Sequence, residues 1–201
     1  MSGKLLLITA QYSPNKMFKN SFPIFLLAGL DNREGDLTLN QQVKLLEESS
    51  LLKVKGFRYM EDDALVRAIE QSKRQMYIVL FSAGARESDY IAEAFLKKGY
   101  DLKNIFIVEP YATSDYVASN VRLAVELGVP EINVMVGTGS STGRGVVQNP
   151  TPTPECSPSH WCSLKEVGKT IRIKRRKKVF LIFGVVALLV VGLVIFRIKT
   201  K

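Results

Sequence analysis

The sequence predicts an α/β protein: three layers, α/β/α, around a mainly parallel sheet, followed by one C-terminal transmembrane helix. Three observations predict it. Short apolar runs alternate with segments of helical periodicity, the excess positive charge is confined to residues 165–201, and residues 179–196 carry neither a charge nor a strong hydrogen-bonding side chain.

The apolar runs KLLLITA (4–10), PIFLLAGL (23–30), KVKGFRYM (53–60), MYIVLF (76–81), NIFIVEP (104–110) and INVMVG (132–137) are bounded by polar and turn residues, as buried strands are. Between them, residues 40–51, 62–74, 88–98 and 114–127 place apolar side chains three and four apart, which predicts helices. The last two open on Ser-Asp, which suits an N-cap, and Gly99 and Gly128 follow them as stop signals. This alternation requires parallel strands, right-handed crossovers and helices on both faces of the sheet.

After Gly137 the character changes. GTGSSTGRG (137–145) reads as a glycine-rich loop, and NPTPTPECSPSH (149–160), with its prolines, as extended chain without a strand of its own. Residues 161–170 resume a helical pattern with Trp161, Leu164, Val167 and Gly168 on one side, predicting a final docking helix. The expected organisation is an α/β body (1–148), a Pro-rich loop with His160 and the docking helix (149–171), a basic run (172–178), the transmembrane helix (179–196) and a short basic tail (197–201).

A chain of 201 residues with 46% hydrophobic and 23% charged content can bury a real core. Its 14 Gly have no period and it has only 2 Cys, which excludes collagen and a disulfide-stapled mini-protein. The formal net charge of +9 would suit nucleic acid or an anionic membrane. Residues 165–201 hold 11 of the 28 basic side chains and one acid, Glu166, so the body is nearly neutral. The charge therefore flanks the apolar span and argues for a bilayer and against nucleic acid. As a helix, residues 179–196 would cover about 27 Å, close to a hydrocarbon core; a buried core helix would need a large domain around it.

Arg172, Lys174, Arg175, Arg176, Lys177 and Lys178 precede the span, against Arg197, Lys199 and Lys201 after it, which places the N-terminal domain on the cytoplasmic side. No secretory signal is evident at the start, MSGKLLLITAQYSPNK. The basic run would hold anionic headgroups at about 1 kcal/mol per charge.

Reactive groups in an open parallel sheet collect where strands end. MYIVLF leads into Ser82-Ala83-Gly84-Ala85 and then a helix, a turn that can expose a hydroxyl and aim the Ala83 N–H at a developing oxyanion. NIFIV ends in Glu109, and the only histidine, His160, lies beyond the last predicted strand. The order Ser82, Glu109, His160 resembles that of the α/β-hydrolase family, over roughly residues 20–170. The elbow reads LFSAG where the family has G-x-S-x-G, and the acid follows an earlier strand than is common there. The resemblance implies Ser82 as nucleophile, His160 as base, Glu109 orienting the imidazole, a second oxyanion donor near Leu30, a small ester or acyl substrate, and no cofactor.

Other constellations compete. Gly137, Gly139, Ser140 and Arg144 could bind an anion, although the spacing is not that of a P-loop. Cys156, His160 and Cys162 are too few and too close for structural zinc, so no metal is expected. Cys156 and Cys162 could form a disulfide in an oxidising compartment, but a cytoplasmic domain predicts free thiols. Glu61, Asp62 and Asp63 read as an acidic first helical turn. The leading expectation is a membrane-anchored serine hydrolase of esterase or lipase type. The alternatives are a nucleotide- or nucleoside-binding domain and a non-enzymatic, membrane-anchored binding module.

Overall fold

Six parallel strands form one sheet in the order β2-β1-β3-β4-β5-β6. They are β1 (Ile24–Leu27), β2 (Val54–Phe57), β3 (Tyr77–Phe81), β4 (Ile105–Val108), β5 (Val134–Gly137) and β6 (Thr151–Thr153). The helices are α1 (Leu39–Ser50), α2 (Asp62–Gln71), α3 (Ser88–Lys97), α4 (Asp115–Glu126) and α5 (Trp161–Lys199). This computed structural model describes residues 24–30, 36–111, 115–138, 145–153 and 161–199, without the side chains at 185–187, 190–192 and 194–199. The strand expected at 4–10 lies outside the described residues.

The central strands are apolar along their whole length because both faces are covered. Phe25, Leu27, Ile78, Leu80, Ile105, Ile107, Val134 and Val136 face one core, packed under α2, α3 and α4. The alternate residues Ile24, Leu26, Tyr77, Val79, Phe81, Phe106, Val108 and Met135 face the other, under α1 and α5. Register follows from this two-residue alternation: Leu27 pairs with Leu80, and Phe81 with Val108.

Local chemistry sets the helix ends. Thr38 caps α1 in a reciprocal box with Gln41, whose side chain accepts from the Thr38 N–H at 2.8 Å. Gly99 and Gly128 stop α3 and α4 at φ 70° and 119°. The expected Ser cap of α3 is absent: Ser88 lies inside the first turn, after Glu87, because the 3-10 turn Ser82–Ala85 feeds almost directly into the helix. Ser114, the expected cap of α4, lies outside the described residues.

A second correction concerns the segment read as strandless. Residues 151–153 pair in parallel with β5, Met135 opposite Thr151 and Gly137 opposite Thr153. Pro152 lacks an N–H, so this strand can stand only at the sheet edge, and a Thr-Pro-Thr run shows no apolar signal. Parallel neighbours are usually joined by a crossover helix. Here the described part of the connection instead buries Val146 in the core under α2–α4.

The docking helix, the basic run and the apolar segment are one continuous helix. Leu164, Val167 and Ile171 of α5 are fully buried on the sheet, each worth about 2 kcal/mol. Gly168 lies so close to Ser49 of α1 that a Cβ would collide with the hydroxyl. Farther along, the Lys174 ammonium donates to Asn133 Oδ1 at 2.9 Å and sits 4.5 Å from the centre of the Phe106 ring. Burial pushes it below the usual lysine range, opposed by Asp101. Lys174 thus turns inward, whereas Arg176, Lys177 and Lys178 are exposed.

Among the described residues no helix is long and apolar enough to cross a membrane. In the described part of 179–196, large apolar side chains are nevertheless exposed, Phe180 at 75% and Leu188 at 74%.

Gly84 gives a test of the fold. A Cβ there would run into the carbonyls of Leu27 and Ala28. Gly84→Ala should therefore destabilise by about 1–3 kcal/mol, read as a lower melting temperature; an unchanged melt would mean that β1 and the turn after β3 do not touch.

Candidate functional site at the C-terminal edge of the sheet

With the order 2-1-3-4-5-6, the connections leave β1 and β3 in opposite directions, and the edge between them is where doubly wound sheets open a crevice. Ser82 follows β3 at this point, next to the turn after β1. A Cβ on Gly29 would come 3.0 Å from the Cβ of Ser82, so glycine is what lets the two turns meet. Gln42 of α1, fully buried, fixes the β1 turn: it accepts from the Gly29 N–H at 3.1 Å and donates to the Leu37 carbonyl at 2.8 Å. Leu30 follows, half-buried, on the same turn.

Two non-glycine residues with positive φ stand side by side here, Ser82 at 52° and Glu109 at 48°. Each costs about 1–3 kcal/mol and persists only where its surroundings over-determine it. Around Ser82 the Tyr111 N–H donates to its carbonyl at 3.2 Å, and the Arg86 N–H closes the turn on Ala83 at 3.2 Å. The side chain is largely buried, at 7% exposure, and its hydroxyl has no hydrogen-bond partner among the described residues. The turn aligns Ser82 with the N-terminal side of a 3-10 turn and α3, with the Ala83 N–H next in line.

Glu109 follows Val108, whose side chain faces α1 and α5, so strict alternation would return it to the opposite face. The positive φ breaks the alternation. Its carboxylate is instead met by α5 and β6: Oε1 accepts from Ser163 at 2.8 Å and from Thr153 at 3.4 Å, and those two hydroxyls are 2.8 Å apart. Its backbone N–H donates to the Met135 carbonyl at 2.8 Å. Glu109 is 1% exposed, and its second oxygen, Oε2, is buried without a partner among the described residues. A buried carboxylate with half its acceptors idle is costly.

No protein family, curated protein or solved structure matches the chain. The site is therefore read from its own geometry.

Ser82, Ala83, Leu30 and Glu109 all lie at the C-terminal edge, Ser82 and Glu109 on neighbouring strand ends but without a hydrogen bond between their side chains. His160, Gly139, Ser140 and Arg144 lie outside the described residues, while Gly137 ends β5. The first turn of α5 closes the edge, with the Trp161 ring tilted on Phe81 at 5.4 Å between centres. Cys162 beside it is disulfide-bonded, which corrects the expectation of a free thiol; that expectation came from compartment chemistry and not from geometry. The other cysteine, Cys156, lies outside the described residues. Sequence reasoning missed Gly29, Thr153 and Ser163. Single small hydroxyls, one on an edge strand and one in the first turn of a helix, carry no pattern, and only the proximity of Ser163 to His160 in sequence was available as a hint.

If the burial of Glu109 is a functional burden, the neutral amide should relieve it. Glu109→Gln is expected to melt no lower than the wild type, while Ser163→Ala, which leaves Oε1 nearly unpaired, should lose about 1–3 kcal/mol. A large loss in Glu109→Gln would make the carboxylate structural.

Proposed function

We propose that the chain is a membrane-anchored serine hydrolase that cleaves an ester or thioester through Ser82, His160 and Glu109. The observation that carries this reading is the left-handed Ser82 on a strand-to-helix turn at the switch point, the conformation of a nucleophile elbow. Glu109 supports it: the idle Oε2 is the acceptor that an imidazole N–H needs, and Ser163, which holds the other oxygen, is three residues from His160. Among the described residues, two helices on one face, three on the other and a strand before His160 fit an α/β-hydrolase-like core.

The steps follow from these positions. His160 takes the proton of Ser82 as Oγ attacks the substrate carbonyl, and the Glu109 carboxylate stabilises the imidazolium. The N–H groups of Ala83 and of the turn at Leu30 receive the oxyanion, a contribution of about 10²–10³ per donor. His160 returns the proton to the leaving alkoxide or thiolate, and water hydrolyses the acyl-serine by the reverse sequence. Neither a cofactor nor a metal enters this scheme.

The long α5 helix supports the anchor reading and refines the substrate. It begins at the site and runs across the sheet to Lys174 at the opposite edge, so about 27 Å of helix separates Trp161 from Val179. A site held that far from the bilayer and facing away from it suits a water-soluble ester better than a lipid in the membrane, which favours esterase over lipase. The strand order equally suits a phosphate-bearing ligand between β1 and β3, which keeps a nucleotide-binding domain as the second reading.

A fluorophosphonate probe should label the wild type and not Ser82→Ala. His160→Gln and Ser82→Ala should each abolish hydrolysis of a short soluble ester, and the double variant should be little worse than either. Turnover of a vesicle-embedded long-chain ester exceeding that of the soluble one would overturn the orientation; a folded wild type without labelling would leave the binding reading.

On topology, the charge bias acts at insertion and favours the cytoplasmic side for the domain, although disulfides such as that of Cys162 are uncommon there. In sealed vesicles with the cytoplasmic face outward, added protease should remove the domain; full protection would reverse the assignment and agree with the disulfide.

A further inference from the structure

A second concave site lies at the other end of the domain, where α5 leaves the sheet. It is a cavity of about 540 Å³ between the C-terminal end of α1 and the basic run of α5. Arg172, Arg175 and Arg176 line one side, spaced three and four apart and hence on one helical face. Ser50 and Leu51 form the floor, and Val179 and Phe180, the first residues of the apolar segment, form the remaining wall.

Among the described residues no carboxylate lines this cavity. The nearest acidic side chains of α1 are otherwise engaged: Glu47 accepts from the Val54 N–H at 2.9 Å, and Glu48 faces Lys44 at 3.9 Å. The last carbonyls of α1 offer only a partial negative charge, about half a unit. Among the described residues, Arg172 and Arg176 therefore line the cavity with no carboxylate beside them. The Arg172 Nε is buried and has no hydrogen-bond partner among the described residues. Burial also pushes Arg175 below the usual arginine range, with the Tyr77 hydroxyl opposing. Such a lining suits an anion with several acceptor oxygens, because guanidinium forks match phosphate oxygens.

The apolar wall narrows the choice. Val179 and Phe180 continue into exposed Leu181, Ile182 and Phe183, so an occupant of the cavity meets cations on one side and hydrocarbon on the other. We propose that this cavity binds the phosphate headgroup of an anionic phospholipid, with the acyl chains lying along Val179 and Phe180. The proposal rests on the membrane-anchor reading and is independent of the hydrolase reading. It goes beyond diffuse attraction to the basic run: Lys174 is withdrawn against Phe106, and the three arginines form a pocket with a defined shape.

The test uses the full chain in neutral detergent micelles, with phosphatidylglycerol, phosphatidylcholine or inorganic phosphate added. Phosphatidylglycerol should raise the melting temperature saturably, whereas phosphatidylcholine and inorganic phosphate should not. Arg172→Gln and Arg176→Gln should each weaken the phosphatidylglycerol response about tenfold or more, as loss of a charge-assisted contact does. Lys199→Gln, which removes equal charge from the tail, should leave it unchanged. Arg172→Lys keeps the charge without the fork and should fall between, which guards against a glutamine variant that fails to fold. Equal responses to the two lipids, an equal loss in Lys199→Gln, or a response to inorganic phosphate alone would overturn the headgroup site. Flotation with vesicles separates the two readings: a chain that floats without headgroup selectivity refutes only this inference, and one that does not float refutes the anchor as well.

Discussion

The docking of α5 on the sheet is the contact on which the rest of the molecule depends. A parallel sheet is apolar on both faces and is stable only when both are covered. Among the described residues, three helices cover one face, and α1 and α5 cover the other. Without Leu164, Val167 and Ile171, the core formed by Tyr77, Phe106, Val108 and Met135 would lie open. The absence of room for a Cβ between Gly168 and Ser49 shows how closely the two helices must approach to close this layer. Because α5 has to run along the sheet, its first turn falls at the strand ends and its exit at the opposite edge. One packing requirement thus sets the position of the candidate site, the closure of the core and the direction in which the helix leaves.

At the strand ends the same helix offsets a second cost. Ser82 and Glu109 are both left-handed, and Glu109 is buried as well. Simple loop economy would place glycine or asparagine at such positions. Ser163 on α5 and Thr153 on β6 supply the hydroxyls that satisfy one oxygen of Glu109, and they do so only when the edge strand and the helix are in place. The strain and the desolvated charge are therefore supported by long-range contacts. Removing α5 would be felt first at Glu109, although the two are far apart in sequence.

The parts of this architecture that were legible from sequence are those with a period. Ile24–Leu27, Tyr77–Phe81, Ile105–Val108 and Val134–Gly137 are uninterrupted apolar runs, and the four central helices carry apolar side chains three and four apart, so their order alone implied parallel crossovers. β6 was not legible, since its threonines and proline follow the edge of the sheet and not a buried face. Ser82 and Glu109 could be singled out as strand-end residues, but their positive φ could not, because it arises from the turns that Gly29, Gly84 and Tyr111 impose. The cavity at Arg172, Arg175 and Arg176 was hidden for another reason. In sequence the six cations form one run, and only the helical phase and the end of α1 divide them into an inward lysine, a pocket and an exposed rim.

That division also separates two kinds of electrostatics. The body carries almost no net charge, and the positive end lies at the exit of α5, about 27 Å along the helix from Trp161. At physiological ionic strength fields between exposed charges decay over about 8 Å. Three such lengths leave little of the basic run's potential at Ser82, and little of any lipid surface charge either. On the hydrolase proposal, a substrate at the strand ends would therefore be selected by the shape and hydrogen bonds of the turns after β1 and β3. On the headgroup proposal, a phosphate in the arginine pocket would leave the Glu109 carboxylate undisturbed for the same reason. The rigid helix connects the two ends mechanically and insulates them electrostatically.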